Sequence, residues 1–234
     1  MPVALITGAS RGLGRATAHA LAARGWSLVV DARRGADLTD ALHGLSRVIA
    51  LPGDVTDPAH RADLATAVQR IGRLDVLVNN ASSLGPSPLP ALREVGLDEL
   101  RLVYETNLVA PLALSQLLIS QLTAAGGTII NISSDAAIEA YPGWGGYGSA
   151  KAALDQLTAV LAAEEVALRC YAFDPGDMRT DMHQLAFPGE DISDRPEPAS
   201  VVPALLRLID ERPPSGRYRA GDLSSSDEIA RVAS

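Results

Sequence analysis

"VALITGASRGLG", residues 3 to 14, joins an apolar run of strand length to the opening of a helix through a turn with glycines at 8, 12 and 14. Such a junction aims the free N–H groups of a helix's first turn at the end of the strand, where an anion can be held. Glycine there permits a tight turn, close approach of a pyrophosphate to backbone, and packing of helix on strand. The spacing is G-x-x-x-G-x-G and departs from the general dinucleotide fingerprint, G-x-G-x-x-G. Taken alone the turn is ambiguous, since many strand-to-helix turns hold glycine for conformation only.

The rest of the chain repeats the strand-then-helix rhythm. Strand-length apolar runs occur at 3 to 7, 27 to 32, 47 to 53, 74 to 79, 127 to 133, 166 to 173 and, more briefly, 216 to 220. Helical patterns lie between them at 12 to 24, 37 to 43, 58 to 71, 97 to 125 with a break at Pro111, 147 to 165, and 199 to 211. Strands that are apolar on both faces need cover on both, which a parallel sheet flanked by helices provides. The expectation is one α/β domain over residues 1 to 234, a doubly wound, Rossmann-like parallel sheet of about seven strands. Two Pro-, Gly- and acid-rich segments, 83 to 95 and 183 to 198, each follow a strand and read as active-site loops.

Bulk properties narrow the function classes. A net charge of −8 with no basic run disfavours a nucleic-acid surface. The opening "MPVALITGAS" has no basic leader and only a short apolar run, and no other run reaches spanning length, so no membrane segment is expected. The single cysteine, Cys170, cannot form an internal disulfide and suits a cytoplasmic setting. Its strand-like neighbours "ALRCYAF" read it as a small core residue. His19, His43, His60 and His183 show no metal-ligand spacing; His19 and His60 read as helix-surface residues and His183 as loop decoration.

"YGSAK", Tyr147 to Lys151, puts a phenol and an ammonium one helical turn apart at the start of an Ala- and Leu-rich run. A free tyrosine ionises near pH ~10 and needs a large depression to shuttle protons near neutrality. A cation at about 4 Å supplies about that much at an effective dielectric of about 20. The pair is therefore a candidate acid/base device, although such pairs also occur as surface decoration.

Seven short motifs in fixed order resemble the short-chain dehydrogenase/reductases over nearly the whole chain: "TGASRGLG" (7 to 14), "GDV" (53 to 55), "NNAS" (79 to 82), "TN" (106 to 107), "INISS" (130 to 134), "YGSAK" (147 to 151) and "DPGDMRTDM" (174 to 182). The resemblance implies an NAD(P)-dependent oxidoreductase of small carbonyl or alcohol substrates. Tyr147 would be its general acid/base and Lys151 would lower the Tyr pKa and hold the nicotinamide ribose. Ser134 would stabilise the substrate oxygen, and Asn107 would complete a water-linked proton relay. Gly8, Ser10, Arg11, Gly12, Leu13 and Gly14 would cradle the phosphates, Asp54 and Val55 flank the adenine, Asn79 and Ala81 meet the ribose, and Pro175, Gly176 and Thr180 the nicotinamide end. "NNAS" stands where the family more often has N-N-A-G, and "DPG" where it has N-P-G. Tyr141, Trp144, Met178, Met182, Leu185 and Phe187 are candidates for an apolar substrate pocket, or for ordinary loop packing.

Cofactor choice rests on "VVDARRG", residues 29 to 35. In relatives that use NAD(H), an acid lies seven residues after the glycine closing the first helix; counted from Gly25, that position is Ala32. Asp31, one residue earlier, is expected to face away from the ribose. Arg33, with Arg11 opposite, would grip the extra phosphate of NADP(H). NAD(H) remains the alternative if the register shifts by one, leaving Arg33 and Arg34 a surface pair. A homodimer or higher homo-oligomer is expected through 111 to 125 and 147 to 165, unless both helices are buried in the monomer. The rival class is a dinucleotide-binding regulatory or scaffold protein on the same fold.

Overall fold

The computed structural model describes residues 1–223. Seven strands form one parallel sheet: β1 (Val3–Ile6), β2 (Ser27–Ala32), β3 (Val48–Pro52), β4 (Val76–Asn79), β5 (Thr128–Ile132), β6 (Arg169–Asp174) and β7 (Gly216–Arg219). Their spatial order is β3-β2-β1-β4-β5-β6-β7, so the direction of winding reverses between β1 and β4. Alternate strand residues feed opposite layers. Ala4, Ile6, Leu28, Val30, Val78 and Phe173 join one core, with Leu13 and Leu21 from helix α1 (Gly12–Ala23), Leu38 from α2 (Gly35–Ala41) and Leu205 and Leu208 from α8 (Pro198–Asp210). Val3, Leu5, Val29, Leu77 and Cys170 join the other, with Leu64 and Val68 from α3 (Pro58–Ile71) and Leu114, Leu118 and Leu122 from α5 (Ala110–Ala125). This two-faced burial is why the strands read as unbroken apolar runs.

The expected break at Pro111 is absent: helix α4 (Leu97–Tyr104) continues into α5 through a widened turn, Glu105–Val109. Pro111 has no N–H to offer the Asn107 carbonyl four residues back, and the ladder adjusts just before it, with Ala110 N–H donating to Glu105 O five residues back. The resulting helix, Leu97–Ala125, is long and apolar enough by length and composition to cross a membrane, contrary to the sequence expectation. Leu114, Leu118 and Leu122 are fully buried on the sheet, each contributing about 1.5–3 kcal/mol, which is the setting of a core helix. Two further α-helices are α6 (Gly145–Glu164) and a short α7 (Asp181–Ala186), which runs into the segment 183 to 198 expected to be loop. Thr180 caps α7, its Oγ1 accepting from His183 N–H, a signal the acidic and Pro-rich residues around it obscured.

Candidate active site

A cavity of about 1200 Å³ opens at the carboxyl ends of the strands, where the winding reverses. It exceeds the about 300–1,000 Å³ of a pocket for one drug-sized ligand, leaving room for a dinucleotide and a small molecule together. Every expected site residue lines it except Gly14, Asn79 and Asn107.

The glycine turn forms one end. A Cβ on Gly8 would lie 2.9 Å from the Ala81 Cα, and one on Gly14 would lie 2.5 Å from both Gly8 O and Asn80 Nδ2. Gly14 thus shapes the turn from behind. Asp31 Oδ1 accepts the Gly8 N–H at 2.8 Å, and the Asn80 amide donates to Thr7 O at 2.8 Å and to Gly8 O at 3.1 Å. Thr7 Oγ1 in turn accepts from the backbone N–H groups of Asn80 and Ala81. The turn is tied to β2 and β4 while α1 starts without a side-chain cap and without an acidic residue in its first turn. Its free N–H groups therefore face the cavity, and an elongated diphosphate fits them.

Three expectations change at this end. Asn79 sits in the core, donating to Asn131 Oδ1 at 2.8 Å, because the last strand residue faces the sheet's other neighbours; Asn80 takes the cavity side. His60 is buried rather than on the surface of α3: its Nε2 lies 3.0 Å from Asp31 Oδ2, in space left by Gly53, where a Cβ would fall 2.2 Å from the ring. Asp31 does not simply turn away. It lies at the cavity wall beneath the glycine turn with both oxygens engaged, and burial pushes its carboxyl up, against the bonds from His60 and Gly8.

Beside it, Arg33 is exposed and lines the cavity. Among the described residues it makes no hydrogen bond or ion pair, but its charge reaches Asp54. Burial would push the Asp54 carboxyl up; the bonds from Thr56 N–H and Oγ1 and the Arg33 charge outweigh this and hold it below the usual range. Arg34 pairs with Asp37 at 2.6 Å. Arg11 pairs with Asp181 across the cavity at 2.9 Å, an exposed ion pair that costs little to break.

At the other end Ser134, Tyr147 and Lys151 converge. Tyr147 is held edge-on by Trp144, with ring centroids 5.7 Å apart, and the Ser82 and Ser134 hydroxyls are its polar neighbours. Burial pushes the Tyr147 hydroxyl up to about 12, against the influence of the Ser82 and Ser134 hydroxyls, with the charges of Asp174 and Asp135 adding to the rise. Lys151 does not supply the expected depression. Lys151 Nζ donates to Ile132 O at 2.6 Å and lies 5.5 Å from the Tyr147 ring centroid, so its charge sits on a carbonyl instead of on the phenol. Burial also lowers Lys151 to about 8, opposed by Asp155.

Asn107 lies on the widened turn, fully buried. Its Oδ1 accepts from Ser82 Oγ at 3.1 Å and Ser83 N–H at 2.9 Å, and its Nδ2 donates to Ser83 O at 2.8 Å. It pins the loop that carries Ser82, and Ser82, standing where the family more often has Gly, reaches Tyr147.

Sequence reading missed several residues here. Arg217 on β7 donates to Asp174 Oδ2 and to the Ser134 carbonyl, each at 2.9 Å, and to Asp155 Oδ2 at 3.0 Å. This explains "DPG": the buried Asp174 carboxylate has a guanidinium partner, and its other oxygen accepts Gly176 N–H at 3.0 Å. Asp135 accepts from Ser134 Oγ and also lines the cavity. Of the expected apolar group, Trp144, Met178 and Met182 line the cavity and Phe187 backs Trp144 at 5.9 Å, whereas Leu185 and Tyr141 are exposed. His183 is no surface decoration: it is nearly buried, lines the cavity and packs its ring 4.8 Å from that of Phe187.

The chain is similar to known oxidoreductases over most of its length. The short chain dehydrogenase family profile matches residues 2–191. Sepiapterin reductase of Mus musculus is 35% identical over 201 residues, covering 79% of this chain and 77% of the relative. Benzil reductase ((S)-benzoin forming) of Bacillus subtilis is 31% identical over 188 residues, covering 78% and 76%. The alcohol dehydrogenase of the archaeon Thermococcus sibiricus, solved as a complex with 5-hydroxy-NADP, superposes with a TM-score of 0.84 at 28% identity, covering 94% of this chain and 95% of that one. With profile, relatives and fold in agreement, the chain belongs to the short-chain dehydrogenase/reductase family, the oxidoreductases that act on C=O and CH–OH groups.

Proposed function

We propose that the protein, acting as one domain, reduces a small carbonyl compound or oxidises the matching alcohol, with NADP(H) as the preferred nicotinamide cofactor. The observation that carries this reading is the convergence of Ser134, Tyr147 and Lys151 on a cavity that begins at the uncapped N-terminus of α1. The nicotinamide, when bound, supplies or takes up the hydride. Gly8, Ser10, Gly12 and Leu13 hold the diphosphate, and Arg33 meets the phosphate on the adenosine ribose. Asp54 and Val55 lie beside the adenine, Ala81 and Lys151 serve the riboses, and Pro175, Gly176 and Thr180 shape the nicotinamide end.

As a carbonyl oxygen gains negative charge, hydrogen bonds from Ser134 and Tyr147 strengthen, favouring the transition state over the ground state. Tyr147 gives that oxygen its proton. Asn107 acts by holding the Ser82 loop against Tyr147. The test is NADPH oxidation followed at 340 nm over a panel of aldehydes and ketones, with carbonyl-dependent oxidation expected.

The protein is further proposed to be a cytoplasmic homo-oligomer, most simply a homodimer. Leu102 on α4, Val109 on the widened turn, Leu117 on α5 and Val160 on α6 remain 40% or more exposed, an apolar surface suited to a second copy. Light scattering at micromolar concentration is expected to give a multiple of 24.4 kDa; the monomer mass itself would contradict this assembly.

A further inference from the structure

We propose that Asp135 reads the substrate: it selects carbonyl compounds that carry a hydrogen-bond donor, a hydroxyl or an amine, on the carbon next to the reacting carbonyl. The inference rests on the hydride-transfer reading above and deepens it.

The Ser134 hydroxyl has one proton, and it is directed at Asp135 Oδ1, 2.9 Å away. While it stays there, Ser134 can accept a hydrogen bond but cannot donate one to a substrate oxygen. To serve a carbonyl, the hydroxyl must turn from Asp135 and remove a charge-assisted bond from a half-buried carboxylate. Asp135 then keeps the Ala136 N–H at 2.8 Å on Oδ1 and the Tyr141 hydroxyl at 3.1 Å on Oδ2, against about four positions a carboxylate can fill. A carboxylate with acceptor positions turned toward a ligand cavity can take a hydrogen bond from a ligand that brings a donor.

Geometry places that donor. A hydroxyl or amine on the neighbouring carbon lies about 3 Å from the carbonyl oxygen, close to the 2.9 Å between Ser134 Oγ and Asp135 Oδ1. The substrate can therefore set its carbonyl on Ser134 and its donor on Asp135 in two side-by-side bonds. Both residues line the cavity, with Trp144 on the same wall to take an apolar remainder. A simple ketone takes the Ser134 bond without offering Asp135 a donor in exchange.

The test compares kcat/KM with NADPH for 2-hydroxyacetophenone against 2-methoxyacetophenone, and for hydroxyacetone against methoxyacetone. The electron-withdrawing oxygen is present in both members of a pair, and only one donates. The wild type is expected to favour the hydroxy member by about tenfold to a hundredfold, the factor carried by one hydrogen bond to a charged acceptor. Asp135→Ala should collapse the ratio toward one. Asp135→Asn, which keeps size and can donate from its amide, should raise the methoxy member relative to the hydroxy member. NADPH binding, followed by its fluorescence, reports whether both variants are folded. Equal wild-type reduction of both members, or an unchanged ratio in both folded variants, overturns the role of Asp135 and leaves the hydride-transfer reading intact. A wild type that binds NADPH but reduces neither pair overturns the proposed reaction and this role with it.

Discussion

Tyr147→Phe is expected to lower kcat by about 10²- to 10⁴-fold on any confirmed carbonyl substrate, the range typical of a lost general acid. Tyr147 is 7% exposed and packed edge-on against Trp144, so a phenylalanine ring fills the same space and the wall of the cavity survives. The change removes one hydroxyl and the proton it would deliver. Cofactor affinity should hardly move, since the glycine turn and the α1 N-terminus are untouched. Steady-state kinetics of the two proteins, with cofactor binding measured separately, checks this. Near wild-type turnover in the variant would remove Tyr147 as the proton donor.

Arg33→Ala is expected to lower kcat/KM for NADPH by about tenfold to a hundredfold while leaving that for NADH within a few-fold, because one charge-assisted contact to phosphate is lost. Arg33 lines the cavity beside the glycine turn and makes no hydrogen bond among the described residues, so it can turn to a ligand without breaking one. The nearby carboxylate that could favour NADH, Asp31, has both oxygens engaged by Gly8 N–H and His60. Arg11 can add its charge once the exposed pair with Asp181 opens. Both cofactors must be compared at one salt concentration, since charge–phosphate contacts weaken with ionic strength. A wild type that prefers NADH, or a ratio unmoved by the substitution, would contradict the assignment.

The architecture was legible because its cause is local. Strands buried on both faces read as apolar runs such as "SLVVDA", and Gly8, at φ +68°, holds a left-handed turn conformation that favours glycine. Failures occurred where the outcome depends on partners distant in sequence or on a single residue of phase. Asn79 and Asn80 are identical in type and opposite in direction, and only the end of β4 decides which meets the cavity. His60 looks like one polar residue in a helix of mixed character until Gly53 and Asp31, from two strand ends, enclose it. The i,i+4 spacing of Tyr147 and Lys151 was read correctly as one helix face, but the Ile132 carbonyl that captures the ammonium comes from β5. "DPG" departs from the family's N-P-G, and the residue that pairs with its Asp174, Arg217, lies 43 residues further on.

The most direct test of the account is to load the protein with NADPH deuterated at the nicotinamide C4, add a panel of aldehydes and ketones, and analyse the products by mass spectrometry and NMR. The account predicts deuterium on the carbinol carbon of at least one product alcohol, formed by the wild type and at least a hundredfold more slowly by Tyr147→Phe. A wild-type protein that binds the deuterated cofactor yet transfers deuterium to none of the panel would contradict the proposed reaction and favour a dinucleotide-binding protein without hydride transfer.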